Sequence, residues 1–132
     1  MAKRILFIIG LLVLGAESPA SAEWVKAAKD VNGTEYYVDP DTIRRKGGFV
    51  KQWELGDYTT AIRIGNVSAW SAKSQLEYDC EEEAFRILTT TYFSGNMGWG
   101  KVLYTEEEAG KSKPVTPESV IQIKWNRVCN KQ

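Results

Sequence analysis

Two cysteines, Cys80 and Cys129, lie 49 positions apart in a chain of 132 residues that has no other cysteine and no histidine. How this pair is used decides what the chain can fold into, and the N-terminus points to the answer. Lys3 and Arg4 precede an apolar run from Ile5 to Leu14 broken only by Gly10, and small residues follow at Ala16, Ser18, Ala20, Ser21 and Ala22. A charged head, a short apolar centre and an Ala-x-Ala end are the marks of a cleaved secretory signal. About ten apolar residues rise about 15 Å as helix against a bilayer core of roughly 30 Å, so a membrane anchor is the poorer reading. Residues 1–22 are therefore expected to be a signal peptide cut before Glu23. Residues 23–132 are expected to form one soluble domain with no membrane span. No cysteine stands at the expected cut, so no lipid anchor is indicated.

Export carries the chain into an oxidising compartment, where an even pair of cysteines reads as a disulfide. Closing a loop of this length stabilises by roughly 4 kcal/mol in the loop-entropy model, a large share of what holds a small domain. A metal pair or a reactive thiol is the competing reading, and it lacks a histidine or a third cysteine.

Strand signals dominate the rest. Trp24 to Ala28 and Glu35 to Asp39 flank Asn32-Gly33, a dipeptide suited to a hairpin turn. Pro40, Asp41 and Thr42 are expected to end the second strand, since proline cannot donate to the ladder. A third strand, Phe49 to Leu55, sets Phe49, Trp53 and Leu55 on one face and Gln52 and Glu54 on the other. Residues 56–70 show no sustained period and read as a mobile loop with pieces of strand. The clearest alternation follows: Ser74, Leu76, Tyr78 and Cys80 face inward, while Lys73, Gln75, Glu77 and Asp79 face out. Glu81 to Glu83 form a charged turn, Phe85 to Phe93 a fifth strand, Ser94 to Gly100 a glycine-rich tip exposing Trp99, and Lys101 to Thr105 a sixth strand.

A polar linker through Gly110 and Pro114 leads to Thr116-Pro117, a suitable helix opening. On a helix Ile121, Trp125, Val128 and Cys129 share one stripe. A strand is the competing reading there, because Ile121, Ile123 and Trp125 also alternate. The fold class expected is α+β: an antiparallel sheet of about six strands, with the C-terminal helix stapled to its inner face through Cys80 and Cys129.

Chemistry is sparse. Without histidine the commonest general base and transition-metal ligand are missing. The triplets Glu81–Glu83 and Glu106–Glu108 sit in expected turns and diverge into water. Asp39 and Asp41 read as turn caps before they read as ligands of a hard cation. No catalytic, cofactor or metal residue is assigned. Lys plus Arg and Asp plus Glu number 17 each, and losing Lys3, Arg4 and Glu17 leaves a slight acidic excess, so no nucleic-acid partner is expected. The features suited to binding are the basic run Arg44, Arg45 and Lys46, and Trp99 on its glycine-rich tip, because hot spots favour tryptophan and arginine.

Several segments together carry a resemblance: Tyr36-Tyr37-Val38-Asp39 leading into Thr42-Ile43-Arg44, Val50 to Trp53, Ser71-Ala72-Lys73 leading to Tyr78-Asp79-Cys80, and Pro117-Glu118-Ser119 before Trp125 and Cys129. In order and spacing, from Trp24 to Cys129, they resemble the surface-adhesin protein E family. The resemblance implies a six-stranded antiparallel sheet with a C-terminal helix tethered to its concave face by one disulfide. The family's namesake is a dimeric adhesin of the bacterial outer surface that binds vitronectin, laminin and plasminogen. The present chain lacks the namesake's lipid-anchoring cysteine, and no binding residue carries over to it.

The function expected is an exported, non-enzymatic binding domain, periplasmic, secreted or at the cell surface. Its partners would be extracellular-matrix or plasma proteins, and homodimers would form by pairing of open sheet edges. The alternative is a periplasmic envelope assembly or stress factor with the same fold and no extracellular ligand.

Overall fold

The first turn shows how the sheet is started. Asp30 accepts the backbone N–H groups of Asn32 and Thr34 on its carboxylate, at 2.9 and 3.1 Å, and Gly33 takes a φ of 89° that side chains resist. The turn joins β1 (Val25–Lys29) to β2 (Glu35–Lys46) in a computed structural model that describes residues 23–129. The expected signal peptide lies outside those residues. The chain continues through β3 (Phe49–Ile64), β4 (Val67–Asp79), β5 (Ala84–Phe93) and β6 (Val102–Glu106), then a short β7 (Lys113–Pro114) and one helix, α1 (Val120–Cys129). Strands β1 to β6 lie side by side in chain order, all antiparallel, and β7 pairs with the start of β5.

The α+β architecture expected from the sequence is present, with four corrections. Residues 56–70 are not a loop: β3 runs on to Ile64, turns at Gly65-Asn66 and returns as β4. Their period is hidden because β3 takes five steps, Asp57 to Ile62, where two, Ser71 to Ala69, suffice on β4. Pro40 does not end β2. It sits exposed in a second bulge between Asp39 and Arg44, where the Thr42 hydroxyl donates to the Asp39 carbonyl and accepts the Trp53 N–H. Part of the polar linker pairs as β7. Finally, α1 starts at Val120 rather than Pro117, because Ser119 rather than Thr116 supplies the cap: its hydroxyl accepts the Gln122 N–H at 3.2 Å.

Helix α1 covers the inner face of the sheet. Val50, Leu76 and Tyr78 from the strands and Val115 before the helix meet Trp125, Val128 and Cys129, with Ile43, Phe85 and Ile121 around them. Cys80 and Cys129 form the disulfide, with Cα atoms 5.5 Å apart. Two further ties hold the same end: the Trp125 indole donates to the Asp79 carbonyl at 3.0 Å, and Arg45 donates to the Val128 carbonyl at 2.7 Å. The second satisfies a carbonyl at the helix C-terminus with a positive charge, where the helix dipole favours one. Ile123, on the opposite side of the helix, is 42% exposed.

One contact across this interface is ionic. Lys124, 7% exposed, reaches Glu54, 3% exposed, at 2.7 Å, and its ammonium lies 5.2 Å from the centre of the Tyr36 ring. Glu54 also accepts the Tyr78 hydroxyl and, at 3.1 Å, the Gln52 amide. A buried ion pair repays its desolvation only when the remaining lone pairs are occupied, as they are here.

Removing one partner strands the other. Lys124→Met should destabilise the oxidised domain by about 3 kcal/mol, and Glu54→Gln/Lys124→Met should recover most of that loss, since an amide in place of the carboxylate is uncharged and still accepts from Tyr78. Urea midpoints with unchanged slopes would show it; a double variant no more stable than the single one would reject it.

Alkaline pH tests the same region. Burial, then the Glu54 carboxylate beside it, pushes the Tyr78 phenol well up, and burial also raises Tyr36 and Tyr58 to about 12. A phenol whose folded value lies above the unfolded value of about 10 stabilises fully below about pH 10 and loses that contribution as pH climbs toward the folded value. Stability should therefore hold to about pH 10 and fall between about 10 and 12, with phenolate absorbance from these three tyrosines rising together with unfolding. Their ionisation near the ordinary tyrosine value in the folded domain would contradict the packing.

Candidate functional site

The basic run does not act as one unit. The bulge at Pro40 takes five steps on β2 against two on β3, which reverses the in-out order of the strand beyond it. Arg45 therefore lies opposite buried Val50 and, while still exposed, reaches the helix end, whereas Arg44 and Lys46 lie opposite Lys51 and Phe49 on the outer face. One Arg44 nitrogen donates to the Ile43 carbonyl at 2.8 Å and to that of Asp41 at 3.3 Å, which orients the guanidinium. Arg44, Lys46, Phe49, Lys51 and Glu77, together with Arg45 and Gly47, line an open groove of about 660 Å³. Further along the outer face the Lys73 ammonium lies 5.1 Å from the centre of the Trp53 ring.

Trp99 is 75% exposed, at the tip between β5 and β6. The turn beneath it, Asn96–Gly98, is tied to the sheet from several sides. The Asp57 carboxylate accepts the Met97 N–H at 2.7 Å and the Asn96 amide at 3.1 Å, and that amide also donates to the Tyr58 carbonyl at 3.0 Å. Ser71, fully buried, donates to the Gly95 carbonyl at 2.6 Å and accepts the Gly98 N–H at 2.8 Å. Gly100 closes the tip with a φ of 87°, where a Cβ would lie 2.3 Å from the Ser94 hydroxyl. The glycines thus allow a tight turn, and the turn presents an exposed indole on a fastened base.

Beside α1 a cavity of about 330 Å³ opens on the inner face between Tyr36, Tyr58, Ile87, Ile121 and Lys124. Of its polar groups, Tyr36 donates to Asp30 at 2.9 Å and Lys124 is held by Glu54. The glutamates of the two triplets are spread along exposed turns, apart from Glu106, which accepts the Tyr104 hydroxyl at 2.8 Å. Asp39 caps its own turn, accepting the Asp41 N–H at 3.3 Å. Among the described residues no group of three or more acids or cysteines is placed to hold a metal ion, and no helix is long and apolar enough to cross a membrane.

Sequence reasoning did not find Glu54 and Lys124, nor Asp57, Ser71 and Asn96 under the Trp99 tip. Glu54 alternates with Trp53 and Leu55 and reads as a solvent-facing acid. Lys124 lies next to the Trp125 stripe, one position off it. The one available signal was that Gln52, Glu54 and Lys124 share the inner side with Val50 and Trp125.

The geometry can be set beside known proteins. A family model described as surface-adhesin protein E matches residues 24–130. No curated protein sequence matches the chain. Among solved structures, crystal form II of Haemophilus influenzae protein E aligns with a TM-score of 0.66 at 15% identity, covering 85% of this chain and 92% of that one. Another structure of Haemophilus influenzae protein E gives 0.64 at 15% identity, covering 85% and 89%. Protein E from non-typeable Haemophilus influenzae gives 0.62 at 15% identity, covering 85% and 80%. At that identity the structures share the fold, while the family model covers nearly all the described residues: the chain belongs to the surface-adhesin protein E family.

Proposed function

We propose that the chain is an exported, non-enzymatic binding domain whose partners are proteins of the extracellular-matrix or plasma kind. The observation that carries this reading is Trp99, exposed on a turn whose backbone Asp57, Asn96 and Ser71 hold in place. An anchor fixed in advance loses little conformational freedom on binding, and tryptophan is the residue most enriched at binding hot spots. Val102, 61% exposed on the adjoining strand, extends the apolar contact. Membership of a surface-adhesin family supports the same assignment. The domain would act beyond the inner membrane once residues 1–22 are removed.

Sheet edges supply the self-association in this proposal. Of the two, β1 carries Lys26 and Lys29, charges that discourage pairing, while β6 presents Val102 to Glu106 without a lysine. Two copies would pair along β6. Light scattering at micromolar concentration should read the mass of two chains; a single-chain mass rejects the dimer.

Binding is tested with the oxidised domain 23–132 over immobilised laminin, vitronectin and plasminogen. Trp99→Ala should weaken capture by about 30-fold, the scale of a hot spot, without lowering the thermal midpoint. Failure to bind any of the three, together with protection from added protease in intact cells, would replace this reading with a periplasmic envelope factor that has no extracellular ligand.

A further inference from the structure

Across β2, β3, β4 and β5 one row of the outer face reads Arg44, Lys51, Glu77, Arg86. Two cations therefore stand directly opposite each other, an arrangement that destabilises a strand pair. The sheet compensates for it only in part, because Glu77, opposite Lys51, is shared with Arg86. Glu77 is paired with Arg86 at 2.9 Å. In the next row Lys46 faces Phe49 and then Asp79, whose carboxylate accepts the N–H groups of Glu81 and Glu82 at 3.0 Å. Glu81 itself lies against Gly48, at the turn. Among the described residues no carboxylate pairs with Arg44, Lys46 or Lys51. Three cations without a paired carboxylate thus line one groove on a chain with no net charge, around a phenyl ring that is 46% exposed.

We infer that this groove holds a sulfated polysaccharide. Three features of the groove select that occupant. Apart from Arg45, which the Val128 carbonyl holds, the cations are two flexible lysines, point charges that can meet successive anionic groups along a polymer, and Arg44, whose fork suits a single sulfate. Phe49 offers a ring face for the apolar C–H side of a pyranose. The backbone below offers nothing further, because β3 is hydrogen-bonded to β2 on one side and β4 on the other. An extended peptide binding a sheet takes much of its affinity from a free strand edge, and β3, which carries Phe49 and Lys51, has none. A bilayer surface, for its part, cannot enter a groove. This site is separate from the Trp99 tip and does not require that the domain capture proteins.

The experiment uses the oxidised domain 23–132 and a size-defined heparin oligosaccharide in a calorimetric titration. Binding should saturate, disappear with the desulfated oligosaccharide, and weaken with salt along a log–log slope of about two to three. Lys46→Glu and Lys51→Glu should each reduce affinity by at least about tenfold, since each reverses a charge in the contact. Phe49→Ala should reduce it without changing the salt slope. Lys29→Glu on β1 and Trp99→Ala should leave it unchanged, so that loss of protein capture and loss of glycan binding remain distinguishable. Unchanged circular dichroism in each variant shows that the fold is kept. The inference is overturned by no saturable binding, or by binding indifferent to Lys46→Glu and Lys51→Glu. It is equally overturned if polyglutamate of matched charge binds as tightly, which assigns the groove to an acidic peptide. Phosphatidylglycerol vesicles that adsorb the domain without competition from the oligosaccharide would overturn it in favour of a membrane.

Discussion

A ten-residue helix lying on one face of a sheet, whose other face is covered only in part by the Asn96–Gly98 turn, is the arrangement on which the rest of the molecule depends. On its own a helix of that length is marginal in water, and Val120, Ile121, Ile123 and Val128 lower its propensity further. What makes it a helix is its fastening. The disulfide to Cys80, the Arg45 and Trp125 hydrogen bonds and the Lys124–Glu54 pair all act on it, and the first three gather at its C-terminal end. Lys124 adds specificity to the burial of the stripe. A purely apolar underside could slide or rotate on Val50 and Leu76, whereas an ammonium confined between Glu54 and the Tyr36 ring admits one placement.

Bulges give the sheet its two distinct faces. A strand alternates by twos, so each five-against-two step exchanges the faces of everything beyond it. At Pro40 this exchange separates neighbours in a run of three cations. Arg45 reaches the helix end, where a positive charge suits the terminus, and Arg44 and Lys46 go outward. At Asp57 to Ile62 a second exchange begins, and Asp57 and Tyr58 at its near end, with Ser71 opposite, hold the Asn96 turn. Local irregularity in the chain thus sets which residues become structural and which remain available to a partner.

The same irregularity explains what could be read from the sequence. The run from Lys73 to Cys80 has an unbroken period of two and a clean polar side, and its inward set, Leu76, Tyr78 and Cys80, is found where the pattern places it. The helical stripe Ile121, Trp125, Val128 and Cys129 was legible for the same reason. Residues 56–70 were not, because a bulge halfway along removes the period while the strand continues. Pro40 misled by the ordinary rule that proline breaks a ladder, since the Thr42 hydroxyl replaces the missing donor and acceptor. Of the candidate site, Trp99 could be foreseen because glycines flank it, and the basic run was visible as a run. Its division was hidden, since parity across a bulge depends on the partner strand and not on the run itself. Glu54 and Lys124 lie 70 residues apart, and only the closed fold makes them a pair.

The two faces also divide the polar chemistry between holding and binding. Inside, the buried ion pair is fully engaged, Lys124 by Glu54 and Glu54 by Tyr78 and Gln52 as well, and among the described residues no buried side-chain polar atom lacks a partner. A satisfied network rigidifies its surroundings but has nothing left to offer a ligand. Outside, Arg44, Lys46 and Lys51 stand without a paired carboxylate on hydrogen-bonded strands, and Trp99 stands exposed on a turn bonded to β3 and β4. With the backbone beneath these groups fixed in advance, only their side chains remain to be ordered on binding. In this fold the helix and its disulfide cover one face and make the strands rigid, and rigid strands are what let the opposite face carry unpaired charge and exposed rings at fixed positions.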